Sequence, residues 1–299
     1  MKSLIIGMGI GQLYLTVLKT IGSEVITVDT NENAGAQYAS VDSALEQHPF
    51  FDTVHICTPN FTHYDLAMKV APCAKIVFVE KPGVATAEQW LSLLTTFPKT
   101  RFMMVKNNQW RDEFVDYKKL AQTSDTVLFK WINRNRVPKP GSWFTDKKLA
   151  FGGVSRDLLP HLLSYYTGFF PDFAKSAPDV KLCKQRWQIE DLTDRDYGAV
   201  DPNGHYDVDD RVELEINHNG KLLFFIADWR SNDKDDIGLT FIAEGGARFE
   251  FELGLCPESA YEIMIRSALD NLNNSDFWQQ HIKQDLWIHD IITNLSNAS

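Results

Sequence analysis

The chain opens with Lys2-Ser3-Leu4-Ile5-Ile6-Gly7-Met8-Gly9-Ile10-Gly11-Gln12, and Asp29 closes the next apolar run, Glu24–Val28. An apolar run, a glycine-rich turn and a helix-like segment, Gln12–Ile21, read as strand, tight turn and helix. Glycines permit the tight turn and let the backbone approach a pyrophosphate. The helix N-terminus then offers free N–H groups and the positive end of its dipole. Asp29 lies 20 residues after Gly9, where a carboxylate can accept hydrogen bonds from ribose hydroxyls and repel a 2′-phosphate. The usual spacing is GxGxxG. Gln12 stands where the third glycine belongs and Gly11 comes one position early, which predicts a turn shortened by a residue. The competing reading is a purely structural turn.

Working outward, further short apolar runs appear at Thr53–Cys57, Lys75–Val79 and Arg101–Val105, with helix-like stretches at Thr62–Val70 and Ala87–Thr96. Strands alternating with helices predict parallel βαβ units with helices on both faces, and continuous rather than alternating apolar runs suit strands buried on both sides. Residues 1–120 are therefore read as an α/β, doubly wound, dinucleotide-binding domain.

The pattern changes after about Leu120. Val127–Arg136 is a long strand candidate, Val137–Gly141 a loop, and Ser155–Tyr166 a helix. Strand-like segments follow at Lys181–Ile189, Arg211–Ile216, Lys221–Trp229, Gly238–Ala243 and Ala247–Phe251. Asn217-His218-Asn219-Gly220 reads as a hairpin turn, Glu190–Asp210 as an acidic loop and Trp278–Leu295 as an amphipathic helix. Residues 121–299 are expected to form an α+β domain on an open, mostly antiparallel sheet.

The 299 residues suit about two domains, and 44% hydrophobic with 23% charged residues is the balance of an ordinary globular protein. A net charge of −10 without a basic block argues against nucleic acid as a partner. Cys57, Cys73, Cys183 and Cys256 show no CxxC spacing and no histidine cluster, so no metal site is expected and Cys57 reads as a buried free thiol. Gly7, Gly9 and Gly11 interrupt what would otherwise resemble a signal peptide, and no run reaches membrane-helix length. The expected setting is cytoplasmic, which empties the acceptor motifs at Asn60 and Asn273 of meaning.

Three more motifs carry chemistry. Cys57-Thr58-Pro59-Asn60 ends the third strand, where ligands of open α/β sheets bind, and His63 reads as a helix-start residue. Glu80-Lys81-Pro82 ends the fourth strand. Lys81 there either polarises a substrate hydroxyl or is simply a solvated strand-end lysine. Gly152-Gly153-Val154-Ser155-Arg156-Asp157-Leu158-Leu159-Pro160-His161 sets Asp157 and His161 at i and i+4, on one face if the segment is a single helix. A carboxylate beside an imidazole suits general acid/base work; a surface ion pair and half a metal site are the alternatives. Pro160 is tolerated only in a first turn.

Taken together, these motifs resemble the Gfo/Idh/MocA family, the glucose–fructose oxidoreductase and inositol dehydrogenase group. The matching features, in order, are the glycine turn, Thr58-Pro59-Asn60, Glu80-Lys81-Pro82, and Gly152-Gly153 with Asp157 and His161, Asp157 following Lys81 by 76 residues. The resemblance implies an N-terminal Rossmann domain, a C-terminal sheet domain and hydride transfer to or from a nicotinamide. It implies Lys81, Asp157 and His161 as the catalytic set, with His161 as acid/base, Lys81 holding the reacting oxygen and Asp157 orienting the pair. The expected cofactor contacts are Gly7, Gly9, Ile10, Gly11, Asp29, Thr58, Pro59, Asn60, Glu80 and Lys81. Lys81, Trp143, Arg156, Asp157 and His161 are expected at the substrate. NAD is the expected cofactor, with NADP possible, and a sugar, polyol or related small hydroxy compound the expected substrate. An imine or conjugated double-bond reductase and a catalytically silent NAD-binding regulator are the competing readings. Trp229, Phe224, Phe225 and Phe241 are expected on an exposed sheet face that pairs copies into a homodimer or homotetramer.

Overall fold

The computed structural model describes residues 1–134, 136–176, 178–183, 199–231 and 234–298. The first strands and helices are β1 (Lys2–Ile6), α1 (Gly11–Thr20), β2 (Glu24–Val28), α2 (Val41–Gln47), β3 (Phe51–Ile56), α3 (His63–Val70), β4 (Ala74–Val79), α4 (Ala87–Thr96) and β5 (Arg101–Met104). Next come α5 (Phe114–Thr123), β6 (Ser124–Arg134), α6 (Lys147–Ala150), α7 (Val154–Asp157), α8 (Leu159–Phe169) and β7 (Pro178–Cys183). The chain ends with β8 (Arg211–His218), β9 (Lys221–Ser231), β10 (Asp236–Ala243), β11 (Arg248–Glu252), α9 (Glu258–Asp270) and α10 (Ser275–Ala298). Asn135, residues 184–189 of the strand expected to end at Ile189, and residues 190–198 of the expected acidic loop lie outside the described residues.

The chain divides into two units. The first is Met1–Arg111 with Cys256–His289, and the second is Asp112–Leu255 with the residues from Asp290 onward. The sequence pattern puts one boundary at residue 120 and leaves the C-terminal helices with the second domain. In the structure α9 and most of α10 group with the first unit. The cause is packing: Tyr261, Met264, Ile265 and Ala268 of α9 and Trp278 of α10 bury in the same core as Ile5, Tyr14, Leu18 and Phe78.

The first unit is a five-stranded sheet in the order β2-β1-β3-β4-β5. Every neighbouring pair is parallel. All five expected strands form, because their apolar runs fill both faces of the sheet. The strand order reverses between β1 and β3, which makes the carboxyl ends of these strands the place for a ligand.

A buried polar brace ties α10 into this unit. Lys106 pairs with Asp285, and Asp285 also accepts the Met104 N–H at 3.1 Å. Burial pulls the Lys106 ammonium down and pushes the Asp285 carboxyl up to about 6. One turn on, His289 accepts the Val84 N–H at 3.1 Å, donates to the Asp285 carbonyl at 2.6 Å and stacks on Trp90.

The second unit is a six-stranded sheet in the order β11-β10-β6-β9-β8-β7. It is antiparallel except where β6 meets β9. Strand alternation puts Val127, Phe129, Phe225, Ala227 and Trp229 on one face, covered by α8 and α5. Phe129 stacks on Phe225 at 4.5 Å, and Phe169 of α8 meets Phe241. The expectation that Trp229, Phe225 and Phe241 are exposed is thus overturned: all three are buried within the chain. The opposite face carries Phe224, half-buried, and Leu222, exposed.

Candidate functional site

The glycine turn leaves β1 at Gly7, whose φ of +90° is favourable only to glycine. A Cβ there would run into the Cys57 carbonyl and the Thr58 methyl, so the first and third strand ends lie against one another. At Gly9 a Cβ would meet nothing, leaving room beside the backbone, and Ile10 is exposed. Gly11 opens α1 and supplies the close packing expected of a third glycine: a Cβ there would stand 2.9 Å from Ile5. The early glycine is therefore a displaced packing glycine, and Gln12 is exposed. Asp29 braces the same turn, accepting the Met8 N–H at 2.6 Å and the Asn31 N–H at 2.8 Å. Each of its oxygens keeps a second lone pair for a hydroxyl. Room beside Gly9, a helix N-terminus at Gly11 and a fixed carboxylate at Asp29 fit a dinucleotide: pyrophosphate on Gly9, Ile10 and Gly11, ribose on Asp29.

At the end of β3, Thr58 shares a 2.6 Å hydrogen bond with Thr62, whose hydroxyl and N–H both reach the Pro59 carbonyl. Asn60 starts the short turn that leads into α3. His63 is indeed the first residue of α3. It is buried, with its ring nitrogens 2.6 Å from the Gly83 carbonyl and 2.7 Å from the Thr58 carbonyl, so it ties the turns after β3 and β4 together. Burial lowers its pKa, with the nearby Lys81 charge a lesser cause in the same direction.

Glu80, one of the expected cofactor contacts, is buried at the end of β4. It accepts the Tyr14 hydroxyl at 2.6 Å and the Lys81 N–H at 3.1 Å, and burial raises its pKa. Lys81, partly exposed, follows it and joins Pro82 by a cis peptide bond. Its backbone is thus fixed from the α1 side, through Tyr14, a residue whose part sequence spacing did not signal.

In the second unit, Gly152 and Gly153 let the chain pass under Asp209. A Cβ on Gly153 would collide with the Asp209 carbonyl. The Asp209 carboxylate caps α7, accepting the N–H of Gly153 at 2.9 Å, the N–H of Ser155 at 2.7 Å and the Ser155 hydroxyl at 2.8 Å. Arg156 is buried, and burial lowers its guanidinium to about 10 against the opposing pull of Asp209.

The single helix expected through Asp157 and His161 is two: α7 ends at Asp157 and α8 starts at Leu159. Pro160 falls in the first turn of α8, where its missing donor costs nothing. Asp157 accepts the Trp229 indole N–H at 3.0 Å, and His161 stacks on Trp131 at 4.9 Å. Trp143 stacks on Phe144 in a loop laced to later residues, with the Thr145 hydroxyl on the His205 carbonyl and the Asp201 N–H on Pro140. Asp209, Trp131 and Trp229 were not among the expected site residues. The acidic run Asp207-Val208-Asp209-Asp210 was the available signal for the first.

Among the described residues no group of histidine, cysteine and carboxylate side chains could hold a metal ion, and no helix is long and apolar enough to cross a membrane. Cys57, Cys73 and Cys256 form no disulfide among the described residues, while the side chain of Cys183 lies outside them.

Residues 1–107 match the model of an oxidoreductase family described by its NAD-binding Rossmann fold. The first unit is therefore an NAD-binding Rossmann domain of the oxidoreductase class. Over these residues the chain is similar to the Gfo/Idh/MocA family, as its motifs indicated. An oxidoreductase of Formosa agariphila is 24% identical over 162 residues, 49% of this chain and 50% of that protein. Inositol 2-dehydrogenase of Rhizobium meliloti is 27% identical over 132 residues, 42% of this chain and 38% of that protein. The chain thus spans half or less of the length of these curated relatives. The fold is shared over the whole chain with GenD2 of gentamicin A biosynthesis, solved with NAD, at a TM-score of 0.76, 17% identity and 93% of that chain. Levoglucosan dehydrogenase, solved with NADH and levoglucosan, gives 0.75 at 14% identity, over all of this chain and 97% of that one.

Proposed function

We propose that the protein is a cytoplasmic, NAD-dependent dehydrogenase or reductase acting on a sugar, polyol or related small hydroxy or keto compound. The observation that carries this reading is the strand-end arrangement of the first unit. A glycine turn braced by Asp29 lies against Thr58, in a domain of NAD-binding type, and Lys81 is fixed by Glu80 at the end of β4. NAD, when bound, supplies the hydride chemistry. Lys81 holds and polarises the reacting oxygen, His161 gives or takes its proton, and Asp157 orients and charge-tunes that pair. Arg156 and Trp143 belong to the substrate pocket. The substrate class follows relatives that include an inositol dehydrogenase and a levoglucosan dehydrogenase. Cys57, Cys73 and Cys256, none in a disulfide among the described residues, suit a reducing compartment. Copies pair into a homodimer or homotetramer through the sheet face of Leu222 and Phe224.

Fluorescence titration with NADH and NADPH, followed by absorbance assays against myo-inositol, levoglucosan, other sugars, sugar acids and an imine, tests this. Tighter NADPH than NADH binding overturns the cofactor assignment. Turnover of the imine alone moves the protein to the reductase class, and tight NADH binding without any turnover moves it to the regulatory class.

A further inference from the structure

We propose that Trp131 and Trp229 are positioning residues that fix the orientation and the proton affinity of Asp157 and His161. The inference rests on the reading of those two residues as the proton-handling set.

β6 and β9 run parallel with Trp131 opposite Ala227, so Trp229 lies two residues further along the adjacent strand. Both indoles meet the helices at the α7–α8 junction. An indole has one donor and no acceptor, and buried Trp229 gives that donor to the Asp157 carboxylate at 3.0 Å. A hydrogen bond to the carboxylate favours its charged form and fixes its plane. Trp131 lies on the His161 ring, centroids 4.9 Å apart and planes 27° apart. The negative face of an indole attracts a cationic ring more than a neutral one. Both contacts therefore favour the same state, an ionised Asp157 and a protonated His161. They also compensate for the break between α7 and α8, which leaves no continuous helix to set the spacing of the pair.

Other charged groups border this face: Asp209 caps α7 and acts on Arg156. Of the elements packed against α8, α7 carries Arg156 and Asp157, and α5 meets α8 through Phe114, which stacks on Tyr165. Lys130 of β6 and Asp228 of β9 engage Asp236 and Arg211. Strand alternation puts these two on the face opposite Trp131 and Ala227.

Histidine NMR of the full chain tests the idea without a substrate, with His161 assigned from the His161→Gln spectrum. Trp131→Leu is expected to lower the His161 titration midpoint by about 0.5–1 pH unit, and Trp131→Phe, which keeps an aromatic face, to restore most of it. In the wild type the Trp229 indole N–H signal should move as Asp157 titrates and stay still in Asp157→Asn. Unchanged His161 midpoints, or an indole signal indifferent to Asp157, overturn the proposal. Should Trp131→Leu fail to fold, the wild-type spectrum still decides. His161 ring protons shifted upfield by the indole support it, and unshifted ones sink it. With whichever compound the panel shows to turn over, Trp229→Phe is expected to lower kcat about tenfold with the KM for NAD unchanged. Full turnover in both Asp157→Asn and His161→Ala would instead dismiss the pair as the proton-handling set, while the NMR outcomes still judge the tryptophans.

Discussion

The strand ends of the first unit and the α7–α8 junction of the second are built by different means. In the first, backbone conformation does most of the positioning: Gly7 at positive φ, Gly11 against Ile5, and short turns leaving β1, β3 and β4. In the second, side chains from distant strands and loops position the motif: Asp209 caps it, Trp229 holds Asp157 and Trp131 holds His161. Backbone devices leave a local trace in sequence, because they need particular residues at fixed spacing. Side-chain braces leave no such fixed spacing, because their partners lie 54 to 72 residues away from the motif, as Ser155–Asp209 and Asp157–Trp229 do, or precede it.

The sharpest way to break this comparison is to remove the chemistry from each region. Lys81→Ala and His161→Ala are each expected to lower turnover by about 10²–10⁴-fold while NADH affinity stays close to wild type. Steady-state kinetics with a parallel fluorescence titration checks both. Loss of NADH binding in Lys81→Ala would make that lysine part of the cofactor's seat instead.

A second test concerns the buried Lys106–Asp285 pair of the first unit. Asp285→Ala leaves the Lys106 ammonium buried without its carboxylate and should cost about 3–5 kcal/mol. Denaturant unfolding measures it. A loss confined to a few tenths of this would mean that α10 is not held through that pair.

That brace also marks the limit of what could be read in advance. All five strands of the first sheet and the helices after β1, β3 and β4 were legible, since continuous apolar runs and glycines declare them. The attachment of α9 and α10 to that unit was not. It depends on Tyr261, Met264, Trp278 and Asp285 meeting a core formed by the first third of the chain, and periodicity shows a buried stripe without naming its partner. The same limit explains the misplaced faces of β9 and β10. The sequence reading groups Trp229, Phe224, Phe225 and Phe241 on one exposed face, whereas alternation turns Phe224 away from the other three and α8 and α5 cover their side. At the site, Lys81, Asp157 and His161 stood out by motif. Tyr14, Asp209 and the two tryptophans did not, because each acts through a residue remote in sequence.

A third test separates the packing glycine from the open one. Gly11→Ala pushes a methyl against Ile5 and should cost about 1–3 kcal/mol. Gly9→Ala meets open space in the protein, so its unfolding midpoint should stay close to wild type while NADH affinity falls. Thermal melts and titrations of the two variants should show opposite patterns. Equal destabilisation by both would remove the distinction between these glycines.

The smallest effect probes how strictly the first sheet depends on an uncharged interior. His55 is a polar residue inside the apolar strand β3, stacked on Phe78 at 4.9 Å with only Nε2 hydrogen-bonded, to Thr53 at 3.0 Å. Burial lowers its pKa to about 3, against 6.5 for the free side chain. Above pH 6.5 neither folded nor unfolded chain binds a proton there, and the full stability is present. Between the two values the unfolded chain takes up a proton that the folded chain refuses, so stability falls as pH falls, by about 1.4 kcal/mol per unit. His55→Phe keeps an aromatic ring against Phe78 and removes the titration. From pH 7 to 5.5 the wild type should therefore lose about 1.4 kcal/mol more than the variant, read from urea unfolding at both pH values. Parallel pH dependence in the two proteins would show that His55 accepts a proton inside the sheet, and that the strand-end region tolerates a charge its backbone architecture was built to exclude.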